Sequence, residues 1–181
     1  MIRAFSIVTA CFLMITPAVG QEEVTPEADA EAVIEPPMSF ARLGAILQVL
    51  DPEAVVEPRG ATLTIANIPV TVIVDPVADR MRILVPISSA EGLSEAELTR
   101  LMQANFDTAL DARYAIANNR LWSTFIHPLS PLETDQLISG LAQTVTLAQT
   151  YGDSYSSGAM MFGGGDTRGL IEELQNLGEE L

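Results

Sequence analysis

The stretch from Asp111 to Gly152, DARYAIANNRLWSTFIHPLSPLETDQLISGLAQTVTLAQTYG, constrains the fold more than any other part of this chain. Asn118-Asn119 separates two apolar runs, Tyr114–Ala117 and Leu121–Ile126. A two-residue hairpin turn needs positive φ at both central positions, and asparagine tolerates it, so the pattern predicts a β-hairpin ending at His127-Pro128. Ser130-Pro131-Leu132-Glu133 then supplies an N-cap, a proline at the first helical position and a glutamate placed to close a capping box. Ile138, Leu141, Val145 and Ala148 follow at helical spacing, the signature of one buried face. This stretch therefore predicts a small sheet with a helix laid across it.

The same alternation extends upstream. Ala61–Ala66, Val70–Val74 and Arg80–Ile87 read as strands, linked through Asn67-Ile68-Pro69 and through Asp75-Pro76-Val77-Ala78-Asp79. In Arg80-Met81-Arg82-Ile83 polar and apolar residues alternate, placing Met81, Ile83, Val85 and Ile87 on one face of a sheet whose other face is wet. Ahead of these strands, Phe40, Leu43, Leu47 and Leu50 make Ser39–Leu50 an amphipathic helix stopped before Pro52. Behind them, Ser94-Glu95-Ala96-Glu97 is a second capping box, opening a helix to about Phe106 that carries Leu98, Leu101, Met102 and Asn105. Short links favour an antiparallel sheet of about five strands with helices on one face, in the order α-β-β-β-α-β-β-α: an α+β fold.

The flanks differ in composition. Residues 1–20 carry Arg3, an apolar run to Ile15 and a small-x-small site at Ala18-Val19-Gly20, which predicts an export signal cleaved after Gly20 and a periplasmic or secreted product. Val8-Thr9-Ala10-Cys11 offers a rival reading as a lipidation site, and an uncleaved anchor is a third. Cys11 is the single cysteine, so cleavage after Gly20 leaves no disulfide and no thiolate. Residues 21–37 hold six acidic residues, three prolines and no basic one, which reads as a solvated tether or a recognition segment for a basic partner. After the domain at 38–152 comes a Gly/Ser-rich linker, 153–166, containing Met160-Met161-Phe162. Residues 167–181 form a terminal amphipathic helix with Leu170, Leu174, Leu177 and Leu181 on one stripe.

The formal charge is −15, from 24 acidic residues against 9 basic ones, every one of them arginine. Nucleic acid and anionic lipid are bound chiefly by cationic side chains, so neither is expected as a main partner, and the membrane enters only through the export signal. The absence of lysine removes a phosphate-cradling role for Gly163-Gly164-Gly165-Asp166. No G-x-S-x-G elbow occurs, and His127 is the lone histidine, better placed to cap the hairpin's exit than to act as a base. Asp75 and Asp79 flank a turn without the spacing of a calcium loop. No catalytic residue, cofactor or metal is expected.

Several of these pieces together resemble the superfamily that joins YbjN-like proteins to the type III secretion chaperones of the Tir-chaperone kind. They are Arg82-Ile83-Leu84-Val85-Pro86-Ile87, the Asn105 closing the second helix, Arg113-Tyr114-Ala115-Ile116, Leu121-Trp122-Ser123-Thr124-Phe125, Leu129-Ser130-Pro131-Leu132 and Tyr151-Gly152. The resemblance implies a non-enzymatic domain that binds protein segments, often as a dimer. Those chaperones act in the cytosol, whereas this chain carries an export signal, so the protein-binding module is what carries over. Trp122 and Phe125 lie at odd spacing and point to opposite faces, one into the core and one to a face that a partner covers or solvent reaches. The expected partner surface comprises Trp122, Phe125, Leu170, Leu174, Leu177 and Leu181, meeting a protein partner or a second copy. Two alternatives stay open: an envelope structural or stress protein whose one binding event is dimerisation, and a carboxylate-dependent hydrolase with converging acids.

Overall fold

The computed structural model describes residues 35–107, 110–152 and 165–178. The expected export signal with Cys11, the expected tether as far as residue 34, Met160-Met161-Phe162 and Leu181 lie outside the described residues. In chain order the elements are α1 (Phe40–Leu50), β1 (Val55–Glu57), β2 (Gly60–Ile65), β3 (Ile68–Asp75), β4 (Arg80–Ser89), α2 (Glu95–Asp107), β5 (Arg113–Ala117), β6 (Arg120–Pro128), α3 (Thr134–Gln149) and α4 (Gly165–Gly178). The strands form one six-stranded antiparallel sheet in the order β1-β2-β3-β4-β6-β5. This is the predicted α+β architecture with one strand more than the five expected. The addition is β1, three residues after Pro52 that pair with β2 from Val55↔Thr62 to Glu57↔Gly60. So short a strand carries too little alternation to announce itself in sequence.

Turn chemistry fixes the register. Asn118 and Asn119 both have positive φ, 51° and 57°, and join β5 to β6 with Ala117 opposite Arg120. The β2–β3 link is tighter than the sequence indicated. Ala66 and Asn67 alone make the turn, at φ 48° and 63°, while Ile68 and Pro69 belong to β3. Pro69 lacks an N–H, and it is tolerated because the β3–β4 ladder begins only at Thr71↔Leu84. Gly60 is required where it stands: a Cβ there would lie 2.4 Å from the Val72 carbonyl oxygen.

The two expected capping boxes had different fates. At α2, Ser94 N–H and Oγ both donate to Glu97 Oε2, at 2.8 and 2.7 Å, and Glu97 N–H donates back to Ser94 Oγ at 3.3 Å. At α3 the helix starts three residues later than Ser130-Pro131 predicted, with Glu133 as N-cap and Gln136 Oε1 accepting from Glu133 N–H at 3.0 Å. Ser130 is engaged elsewhere. Its N–H and Oγ both donate to Asp79, each at 2.8 Å, tying the entry of α3 to the β3–β4 turn. A tertiary acceptor outcompeted the local cap.

Helices cover one face of the sheet. Leu43, Leu47, Leu137, Ile138, Leu141 and Val145 meet Val72, Met81, Ile83 and Val85, all essentially without solvent exposure. Each such side chain contributes about 1.5–3 kcal/mol by leaving water. A smaller core forms where α2 packs at the β5 end, joining Leu101 and Ala104 to Tyr114, Leu121 and Leu147.

Candidate functional site

Alternation along the strands sorts the sheet into two faces. Toward the helices point Met81, Ile83, Val85, Leu121, Ser123 and Phe125. Away from them, on the uncovered face, lie Ile73, Arg82, Leu84, Trp122, Thr124 and Ile126. The register brings the outward residues into rows: Thr71, Leu84, Thr124 and Arg113 in one, Ile73, Arg82 and Ile126 in the next, and Pro86, Trp122 and Ala115 in a third. Ile73 and Ile126 are 44% and 52% exposed, unusual for large aliphatic side chains in the middle of a sheet. Between the rows runs a groove of roughly 300 Å³, walled by Leu84, Ala115, Trp122 and Ile126, with Thr124 on its floor and Arg82 on its rim.

Trp122 is held within this groove. Its Nε1–H donates to the Ala117 carbonyl at 3.1 Å, and the Arg120 guanidinium stands 5.8 Å from its ring centroid in a cation–π arrangement. Thr124 is only 8% exposed, and its hydroxyl has no hydrogen-bond partner among the described residues. A buried hydroxyl left this way costs about 1–3 kcal/mol.

Of the six residues expected to form a partner surface, the five that are described do not form one surface, and Leu181 lies outside the described residues. Trp122 lies on the open face, half-buried. Phe125 is on the helix side, 6% exposed, with its ring against Gly140, where a Cβ would approach to 2.8 Å, and stacked on the His127 imidazole at 5.9 Å. Leu174 is buried in the main core and Leu170 packs against it, while Leu177 is 42% exposed. The α4 leucines thus stand on the same side of the sheet as Phe125 and across the sheet from Trp122. His127 Nδ1 lies 2.8 Å from the Pro128 carbonyl, at the strand's exit.

Arginine is the residue type that the sequence reading left out of the site. Arg80, Arg82, Arg113 and Arg120 all take outward positions and are exposed, so four of the chain's nine arginines converge on the open face. None of the four is ion-paired among the described residues; Arg80 donates to the Asp79 carbonyl, and Arg113 to those of Leu110 and Ala112. The signal lies in the alternation of Arg80-Met81-Arg82-Ile83, whose polar half faces away from the helices.

Carboxylates with displaced ionisation sit at structural joints. Glu35 is lowered although burial pushes it up, because the Arg42 guanidinium and the N–H and hydroxyl of Thr134 all donate to it. Asp79 is lowered by the Ser130 hydroxyl and N–H, and Glu97 by the same two groups of Ser94. A cleft of about 720 Å³ between α1, α3 and α4 contains the Glu35–Arg42–Thr134 cluster, so its one arginine is already engaged in joining α1 to α3. Among the described residues, no group of three or more His, Cys, Asp or Glu side chains is arranged to hold a metal ion.

No protein-family model matches the chain, and no curated protein matches it significantly. Among solved structures, the fold is similar to a chain in the crystal structure of the ExsC–ExsE complex, with 13% sequence identity and a TM-score of 0.50. The match covers 62% of this chain and 92% of that one. At that identity the likeness shows the fold alone, an α+β arrangement shared with that chain.

Proposed function

We propose that this is a non-enzymatic module that binds segments of other polypeptides across the open face of its sheet. The observation that carries the reading is the asymmetry of the sheet. One face is sealed by helices, while the other presents Ile73, Leu84, Trp122 and Ile126 around a groove. Supporting it, the structural relative was crystallised as a complex of two proteins. Residues 1–20 are taken as a cleaved export signal, which places the module in the periplasm or outside the cell; N-terminal sequencing of the mature protein should begin at Gln21. The binding reading is tested by photo-crosslinking. Benzoylphenylalanine at Ile126 should yield crosslinks to other polypeptides in an envelope extract, and the same probe at Gln149, on the helix side, should not. Equal crosslinking from both positions would refute an open-face site.

A second reading, self-association, is favoured by α2. Leu98, Met102 and Phe106 recur every fourth residue and are 38%, 60% and 77% exposed, an apolar stripe on the outside of a helix whose inner side is already packed. Light scattering on the purified protein tests it. A dimer that Met102→Glu converts to monomer supports the stripe as the contact, and a monomer at all concentrations removes it.

A further inference from the structure

The chain is strongly acidic as a whole, yet its open sheet face is cationic. Arg80, Arg82, Arg113 and Arg120 all project there. The acids on that face, Glu57 and Asp75, stand away from the groove: Glu57 at the β1 margin, and Asp75 at the end of β3 opposite Arg80, with Oδ1 accepting from the N–H groups of Val77 and Ala78. In a chain of 24 acids and 9 arginines, the groove between Leu84 and Ile126 carries an arginine on its rim and no carboxylate in its lining. From this we infer that the groove receives an acidic, apolar stretch of polypeptide: aliphatic side chains between Leu84, Trp122 and Ile126, and carboxylates toward Arg82, Arg113 and Arg120. The inference rests on the polypeptide-binding reading and adds the chemistry of the segment.

Three features favour this occupant. The walls are aliphatic and aromatic, so a purely ionic ligand would leave them wet. The rim is arginine, whose planar fork matches carboxylates in pairs. The third feature is the net charge of −15, which an anionic bilayer would meet as a whole, whereas a peptide strand meets only the face it lies on.

Trp122 is the only tryptophan and lines the groove, so its emission reports binding directly. The probe is a dodecapeptide of alternating glutamate and valine, with a lysine–valine counterpart. The glutamate peptide should shift Trp122 emission saturably, and raising salt from about 0.05 to about 0.5 M should weaken it several-fold. Arg82→Glu should weaken it about tenfold, with a cooperative melting transition retained to show that the variant is folded. The lysine peptide should not bind. If the lysine peptide binds equally well, or if Arg82→Glu leaves the affinity unaltered, the assignment of acidic segments to this groove is overturned while polypeptide binding itself stands. If neither peptide moves the emission but vesicles of anionic phospholipid do, a membrane replaces the polypeptide as occupant. Silence from all three probes overturns the inference, and the crosslinks from Ile126 then decide the broader reading independently.

Discussion

The two faces of this sheet are built from the same strands, often from adjacent residues, and they obey different rules. On the covered face, Met81, Ile83 and Val85 are fully buried against α1 and α3. One residue along, Arg82 and Leu84 face a surface that no described element covers. Where a helix seals the sheet, every outcome of sequence is decided by volume and burial. Where no described element seals it, aliphatic residues remain exposed beside arginines, an arrangement that adds little to the stability of an isolated domain. The covered face explains why the chain folds, and the open one is the surface on which the proposed binding rests.

The sharpest way to break this contrast is to truncate one residue on each side. Leu141→Ala, in the fully buried face of α3, should cost about 3 kcal/mol through lost transfer energy and the cavity left behind. Ile126→Ala, half-exposed on the open face, should cost well under about 1 kcal/mol. Urea denaturation of the two variants measures both. Equal losses would mean that the open face is covered after all. A second test adds volume instead of removing it. Gly140→Ala places a methyl 2.8 Å from the Phe125 ring and should cost about 1–3 kcal/mol, with Phe125→Leu recovering part of the loss in the double variant.

Much of this contrast could be read in the sequence, and the part that could not has a physical cause. Period-two alternation in Arg80–Ile87 placed β4 and its buried face, and the asparagine pair placed the β5–β6 hairpin. The Ser94–Glu97 box placed the start of α2. These are local signals, complete within a few residues. The α3 start failed because Ser130 finds its acceptor in Asp79, distant in sequence, and a local rule cannot register that competition. The candidate site was less legible than the fold. Trp122 belongs to the open groove, but Phe125 and Leu174 belong to the core, because amphipathic spacing identifies an apolar stripe without saying whether another element covers it. The arginine cluster arises from register across β4, β5 and β6, which no single strand displays.

The β5 end of the sheet sharpens the comparison from another side, since an exposed strand edge is also an open surface. Here it is partly closed. Asn105 on α2 places Oδ1 2.7 Å from the Tyr114 N–H and donates through Nδ2 to the Tyr114 carbonyl at 3.1 Å, imitating a neighbouring strand. Tyr114 then donates its own hydroxyl to the Leu147 carbonyl at 3.0 Å. Asn105→Ala should cost about 1–2 kcal/mol, because two partly buried backbone groups lose their partner. Amide exchange should quicken at Tyr114 and stay unchanged at Ile83. Retained protection at Tyr114 would show that the edge is closed by something other than Asn105.

The smallest expected effect concerns acid, and it separates the structural carboxylates from the arginines of the open face. Asp79 and Glu97 are lowered from their ordinary 3.8 and 4.5 because the folded chain donates hydrogen bonds to their ionised forms. A group lowered by folding contributes stability that is complete above its unfolded value and is lost as pH falls through the folded one. In that window the unfolded chain binds more protons, so stability rises with pH. The melting temperature should therefore fall as pH drops below about 4.5, and less steeply in Asp79→Asn and Glu97→Gln, whose side chains do not titrate. Both carboxylates are partly open to solvent, so the slope should be shallow. Arginine does not titrate in this range, so Arg82→Ala should shift the whole curve slightly without changing its slope. A slope altered by Arg82→Ala would place that arginine in the network of structural carboxylates and remove it from the free rim of the groove.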